Sequence, residues 1–455
     1  MMKRPTKQTA LILHPFLFAL YPIFALFAYN VGQIHFADAF RSLAVTLALT
    51  VFLFLAIGLL ARNGHRAGLV VSLLVVMFYS FGHVYSYIHT TFPNVPVLGQ
   101  ANVLAAFWAA LLILLPWFIL RVLKPSVAMG LTPILNIVSI AALVFAAVTP
   151  VMFSARNLRA SETQIKNNFA EVTAPGQPAV NSPDIYYIIL DGYGRPDMLS
   201  DLYGVQDNEF VDFLADSGFY IASDSHTNYC CTSLSLSSSL NYHYLNDLFD
   251  MRPESSSNAP LEQLIQKSAA FRYLKARGYR TVAFATGFAF SEIRAADVFL
   301  EGSEWLNHFE GELLRSSIAA LWMDAALPQM HRDNIHQIFE NLAKLPEMPG
   351  PKFVFAHVVI PHPPFVFDQD GNPIQPSGSG DGQYYYGTRE SYLESYHGQL
   401  IYTNRLAKAA VGDILKKSKT PPVIVIQGDH GPGAYMNFDS LEQSCLRERY
   451  SILNA

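Results

Sequence analysis

Apolar positions are distributed in two different ways along this chain. Up to residue 153 they form long runs broken by a few charges, whereas beyond it they come in short runs bounded by glycine, proline and charged residues. Five stretches, 11–31, 43–60, 67–88, 103–120 and 131–153, hold no Asp, Glu, Lys or Arg. Each approaches the roughly 20 residues a helix needs to cross a bilayer, and the shorter ones can extend by snorkelling of flanking arginines. They predict an α-helical membrane domain with five transmembrane helices over 1–153. A signal peptide is a poor reading of the first stretch because four more follow it.

The pattern then changes. Residues 155–171 are polar with Leu158, Ile165 and Phe169 at helical spacing, which predicts a helix lying on the membrane surface inside a linker, 154–183, that ends in a loop over 173–183. From 184 to 455 strands and helices alternate. Strands are predicted at 185–190, 219–222, 281–286, 353–359 and 423–426, and helices at 208–217, from Thr232 onward, and at 261–277, 334–345 and 390–417. The span 291–325 fits neither period. Residues 368–388, rich in Gly, Ser, Pro and Tyr, read as a lid or substrate loop. The alternation predicts an α/β sandwich.

Composition sharpens this division. Of 455 residues 51% are hydrophobic and 15% charged, too apolar for an ordinary soluble enzyme. The first 150 residues carry one acid, Asp38, and eight bases, while the remainder is net acidic. Lys3, Arg4, Lys7, Arg62, Arg66, Arg121 and Lys124 fall on one side of the predicted spans and Arg41 alone on the other before the last span. The amino terminus is therefore expected in the cytoplasm and everything after residue 153 outside it, in the periplasm if the cell is Gram-negative. His14, His83 and His89 lie in or near the spans and receive no role. Three cysteines make no disulfide framework; Cys230, Cys231 and Cys445 leave open a long-range bridge, a vicinal bridge or free thiols. No basic run points to nucleic acid.

Chemistry concentrates where predicted strands end. Asp191-Gly192 follows the first strand, and Gly428-Asp429-His430-Gly431 follows the last. His362, set between prolines, follows the strand over 353–359, and Thr232 opens a helix. Carboxyl ends of strands are where open α/β sheets hold ligands. Each feature has an ordinary reading: Asp191 and Thr232 as helix caps, the Asp-His pair as a surface turn, His357 as a core residue of its strand. Two carboxylates, an imidazole and a hydroxyl occurring together nonetheless suit Zn²⁺ or Mn²⁺. A threonine hydroxyl at a helix amino terminus becomes a nucleophile when a cation holds it as alkoxide.

With IILDGYGR at 188–195, NYCCTSLSLSSSLN at 228–241, HVVIPHPPF at 357–365 and IQGDHGP at 426–432, the chain resembles the sulfatase-like branch of the alkaline phosphatase superfamily. Within it, the membrane-anchored phosphoethanolamine and phosphoglycerol transferases, including lipoteichoic-acid synthase, share the arrangement of five spans and an outer catalytic domain. The resemblance implies that Asp191, Asp429 and His430 bind one divalent metal, Zn or Mn, and that Thr232 is both ligand and nucleophile. It implies that His362 contacts the transferred group or protonates the leaving oxygen, and it leaves Arg195, His226, Asn228 and His357 as substrate-binding candidates. A lipid donor, an envelope glycan or lipid acceptor and a bacterial inner-membrane location go with it. Formylglycine sulfatases are disfavoured, because Cys230-Cys231-Thr232-Ser233-Leu234 lacks the proline and arginine of C-x-P-x-R, and the Asp-x-x-x-His pair of two-metal relatives is missing. Related domains continue past RERYSILNA, so a carboxyl-terminal truncation is expected. The alternatives are a phosphate or sulfate ester hydrolase of the same site and a non-catalytic membrane binding or assembly protein.

Overall fold

The computed structural model describes residues 11–31, 34, 36–91, 101–164, 182–248, 258–303, 305–376, 385 and 387–455. The chain divides into two compact units, Met1–Arg159 with Leu306–Ala325, and Ala160–Trp305 with Ala326–Ala455.

The first unit contains α1 (His14–Tyr29), α2 (Phe40–Ala61), α3 (Gly64–Thr91), α4 (Ala101–Arg121) and α5 (Pro125–Gln164). Among the described residues four helices, Phe36–Ala61, Gly64–Ile88, Asn102–Arg121 and Pro125–Phe153, are long and apolar enough to cross a membrane. The first, α1, is apolar but has 16 residues, about 24 Å of helix. Several polar side chains inside this unit bond to one another. Thr46 meets Tyr79 at 2.8 Å, His14 Nδ1 meets Ser72 Oγ at 2.6 Å, and His65 Nδ1 meets Thr132 Oγ1 at 2.8 Å. Arg66, after α2, donates to the Leu123 carbonyl after α4, so those two turns lie at one end of the bundle.

Residues from the patternless span join this unit. The helix His308–Arg315 opens with a capping box between Asn307 and Glu310, and Phe309 and Leu313, four residues apart, bury against Ile23 and Ala39. Glu310 is only 4% exposed and accepts from Arg41. Asn307 Nδ2 reaches the Asp38 carbonyl at 3.0 Å, and Ile318 N donates to Phe78 O at 2.8 Å. Glu310→Ala removes half of the capping box and the Arg41 pair. Because Arg41 is largely exposed, the pair counts for little, and the expected cost is about 1–2 kcal/mol. Hydrogen exchange should accelerate over 308–315; unchanged protection there would show the cap to be dispensable.

The second unit is built on a parallel sheet of β1 (Ile185–Leu190), β2 (Arg280–Phe284), β3 (Val298–Leu300), β4 (Lys352–Val358) and β5 (Val423–Gln427), in the order β3-β2-β4-β1-β5. Alternation along β1 sorts its side chains. Tyr186, Ile188 and Leu190 join a core with Leu400, Val411 and Ile414 of the helix Arg389–Lys417, while Ile189 joins Leu236, Ile265 and Phe271 on the other face. With helices on both faces, the parallel α/β layering follows the predicted alternation. The segment 451–454 returns across the strand ends through antiparallel bridges, Ile452 to Gly194, Ser451 to His226 and Asn454 to Gln427.

Some elements differ from expectation. Residues 219–222 are irregular rather than a strand; Phe219 N caps the preceding helix at Leu214 O, and Ala222 N bonds the Asn454 carbonyl singly. The expected helix over 261–277 is two, Ala259–Gln266 and Ala269–Ala276. Ala269 N bonds Asn241 Oδ1 and Ala270 N bonds Leu240 O, so partners elsewhere take the amides that would have continued one helix. The helix expected at 334–345 starts at Ala320 and passes through Pro328. Helix α5 runs on to Gln164, so the expected surface helix begins as its extension; 165–171, and 377–384 of the expected lid, lie outside the described residues.

Candidate metal centre and nucleophile

Asp191 and His357 come from neighbouring parallel strands. His357 is paired in register with Ile189, and Asp191 N continues the ladder to Val358 O at 3.0 Å. His357 Nε2 therefore lies 3.2 Å from Asp191 Oδ2. Gly192 then takes φ +74, a conformation that costs a residue with Cβ roughly 1–2 kcal/mol, and its N–H donates to Asp429 Oδ1 at 3.1 Å. The Tyr396 hydroxyl holds the Gly192 carbonyl at 2.9 Å, and His362 N donates to Asp191 O at 3.0 Å, bringing the proline-bounded loop against the first. On the last loop, Gly431 lies so close to the chain's end that a Cβ there would sit 1.9 Å from the Glu448 carbonyl.

These loops converge. His430 Nε2 lies 3.5 Å from Asp191 Oδ1 and 3.5 Å from Asp429 Oδ2. It also lies 3.2 Å from Thr232 Oγ1, the first residue of the helix Thr232–Ser239. His430 Nδ1 faces the Gly431 carbonyl at 2.9 Å and His362 Nδ1 faces the Pro363 carbonyl at 2.6 Å, so hydrogen bonding assigns both protons to Nδ1 and leaves both Nε2 atoms as acceptors. Asp191, His362 and His430 have ligand atoms within 4.8 Å of one another, as do Asp191, His357 and Asp429.

The electrostatics fit a cation at this point. Asp191 Oδ1 and Asp429 Oδ2 are buried without a hydrogen-bond partner. Burial would raise the Asp191 carboxyl, but His362, His357 and His430 together hold it below the usual carboxylate range. Burial and then the charge of Asp191 push Asp429 up to about 7. Burial, followed by the charge of Arg449, keeps His430 neutral, the form that ligates metal. Two converging carboxylates with orphaned oxygens, beside a neutral imidazole with its free nitrogen toward them, make a donor set that suits a divalent cation.

A family model described as Sulfatase matches residues 183–449, more than half of the chain. The chain belongs to the sulfatase family. It is therefore a sulfatase-like enzyme, of the alkaline phosphatase superfamily, with a helical apolar region ahead of its α/β domain. No curated protein matches it in sequence. Among solved structures it is similar to the C-terminal periplasmic domain of EcEptC from Escherichia coli in complex with Zn, at 16% identity and TM-score 0.39, covering 62% of this chain and 73% of that one. It is similar to the integral membrane lipooligosaccharide phosphoethanolamine transferase A from Neisseria meningitidis, at 12% and 0.38, covering 97% and 87%. It is also similar to the phosphonate monoester hydrolase of Agrobacterium radiobacter, at 12% and 0.36, covering 60% and 67%.

The structure brings Asp191, Thr232, His357, His362, Asp429 and His430 together. Three other candidates lie apart from the cluster. The Arg195 guanidinium is taken up by Asp197, Asp224 and the Ser225 carbonyl. His226 is half exposed against Asp224, and Asn228 Nδ2 donates to Ser238 Oγ at 2.9 Å, bracing the helix Thr232–Ser239. All three cysteines are free thiols, with the Cys230 and Cys231 sulfurs 3.4 Å apart. Sequence reasoning missed Thr227, whose hydroxyl donates to the Asp429 carbonyl at 2.6 Å, and Arg449, which no motif marked.

Proposed function

We propose that this enzyme transfers a phosphoethanolamine- or phosphoglycerol-type group from a membrane lipid to an envelope glycan or lipid through a covalent Thr232 intermediate. The observation that carries the proposal is the meeting of the Thr232 hydroxyl with His430 Nε2 at 3.2 Å, beside two buried carboxylates with orphaned oxygens. Asp191, Asp429, His430 and Thr232 would hold one divalent ion, Zn or Mn. When bound, that ion supplies the positive charge that makes a threonine hydroxyl acidic and neutralises charge on the transferred group.

The chain's own groups then have definite tasks. Thr232 Oγ1 attacks phosphorus, a new Oγ–P bond forms, and the donor's P–O ester bond breaks. Free N–H groups in the first turn of the helix Thr232–Ser239 face the transferred anion. With Nδ1–H committed to Pro363 O, the proton-free Nε2 of His362 takes up the proton that Thr232 releases and delivers it to the leaving donor oxygen. His357 keeps the Asp191 carboxylate aimed. The acceptor hydroxyl next attacks the phospho-threonine and frees Thr232.

An apolar helical anchor suits a donor that stays in the bilayer. The basic turns after α2 and α4, joined by Arg66 and Leu123, support a cytoplasmic amino terminus and a catalytic domain on the opposite side. The test uses the full-length protein with Mn²⁺ or Zn²⁺, a glycerophospholipid labelled in its phosphate and head group, and an envelope glycolipid acceptor. Label is expected on the acceptor. Release of free phospho-head-group at the same rate with or without acceptor would overturn the transferase reading in favour of hydrolysis.

A further inference from the structure

We propose that Arg449 is the residue that holds the anionic oxygens of the transferred group, while its guanidinium also ties the nucleophile loop to the Asp429-His430 loop. The proposal deepens the transfer reading above and takes Thr232 as nucleophile from it.

Arg449 sits in the short helix Leu446–Tyr450, close to the end of the chain, and is only 6% exposed. Its Nε donates to the Cys230 carbonyl at 2.6 Å, two residues before Thr232. Its Nη1 donates to the Gly431 carbonyl at 2.9 Å, one residue after His430. One planar group thus spans the two loops whose side chains meet at Thr232 and His430, a task suited to a rigid fork of five donors and not to an ammonium. The main chain reinforces the arrangement, since Gly431 N donates to Arg449 O at 2.8 Å and Thr227 N to Tyr450 O at 2.9 Å.

Charge makes the second half of the argument. Among the described residues no carboxylate forms an ion pair with Arg449; the adjacent Glu448 is engaged by Tyr203 and the Tyr435 amide. The guanidinium is packed over the Phe438 ring at 5.7 Å. Its side-chain hydrogen-bond partners are neutral carbonyls, and burying a cation with no directly bonded anion is costly unless one arrives. Arg449 also walls a cavity of about 620 Å³ that His362 borders. A phosphodiester entering beside His362 meets, among the described residues of that wall, a buried guanidinium with no carboxylate paired to it, and burial strengthens a charge-assisted bond.

The experiment measures binding of inorganic phosphate to metal-loaded, full-length Thr232→Ala protein, so that no turnover is needed, and compares it with the same chain carrying Arg449→Gln or Arg449→Lys. Loss of one charge-assisted contact predicts affinity about 10- to 100-fold weaker for Arg449→Gln and partly retained for Arg449→Lys. In the Thr232-containing enzyme, Arg449→Gln should lower kcat/KM by a similar factor, with methylguanidinium restoring part of it. Phosphate affinity unchanged in both variants would overturn the proposal. If Arg449→Gln unfolds, as loss of the tie between loops could cause, Arg449→Lys decides: affinity equal to the parent is contradictory, and a fall is supporting. An active Thr232→Ala enzyme would sink the covalent mechanism while leaving the phosphate result readable.

Discussion

Thr232→Ala is expected to leave no more than roughly 10⁻⁴ of wild-type turnover, the scale seen when a nucleophile is removed from a site whose other parts persist. Thr232→Ser, which keeps the hydroxyl, should remain active. The two substitutions separate chemistry from helix capping. Thr232 is the first helical residue and not the cap; Cys231 occupies the cap position and makes no side-chain capping bond. Alanine's better helix propensity offsets part of the lost bond to His430, so Thr232→Ala should shift stability by no more than about 1 kcal/mol. Loss of turnover with the fold intact and the melting temperature lowered by at most a few degrees supports the nucleophile; near-normal turnover removes it.

Asp429→Asn is the second large effect. In the metal-free chain Asp191 and Asp429 oppose one another, and burial adds to the cost of charging both. Replacing one by a neutral amide should therefore leave the metal-free melting temperature equal to or above that of the wild type. A divalent ion at about a hundred times its Kd adds about 2.7 kcal/mol to the wild type, a rise of several degrees. That rise should vanish in Asp429→Asn, and turnover should fall by at least roughly 10²-fold, the cost of losing even an outer partner of a metal ligand. Equal metal-induced rises in wild type and variant would show that the ion binds elsewhere.

Much of the site was legible because strand ends announce themselves. A β-branched run closed by Gly428 or followed by Asp191-Gly192 has only a short list of conformations, and Pro361 and Pro363 hold His362 out of the sheet. The same local logic misjudged elements whose limits are set by distant partners. Nothing in 261–277 marks a break at Lys267-Ser268, because the amides of Ala269 and Ala270 are claimed by Asn241 and Leu240, far away in sequence. The periodicity of Phe309 and Leu313 says that they bury, but not that they bury against Ile23 and Ala39. His357 looked like a core residue of its strand, which it is, but its register beside Ile189 also sets it against Asp191. Arg449 gave no signal at all, since a lone arginine in a charged run acquires meaning only when the chain's end folds back over the strand ends.

The most direct test of the account is mass spectrometry of the full-length protein after brief exposure to metal and a glycerophospholipid donor, with acceptor withheld. The account predicts a phospho-head-group adduct on the peptide bearing Thr232, lost when metal is chelated and discharged when acceptor is added. Steady transfer with no adduct on Thr232, or an adduct on another residue, would contradict it.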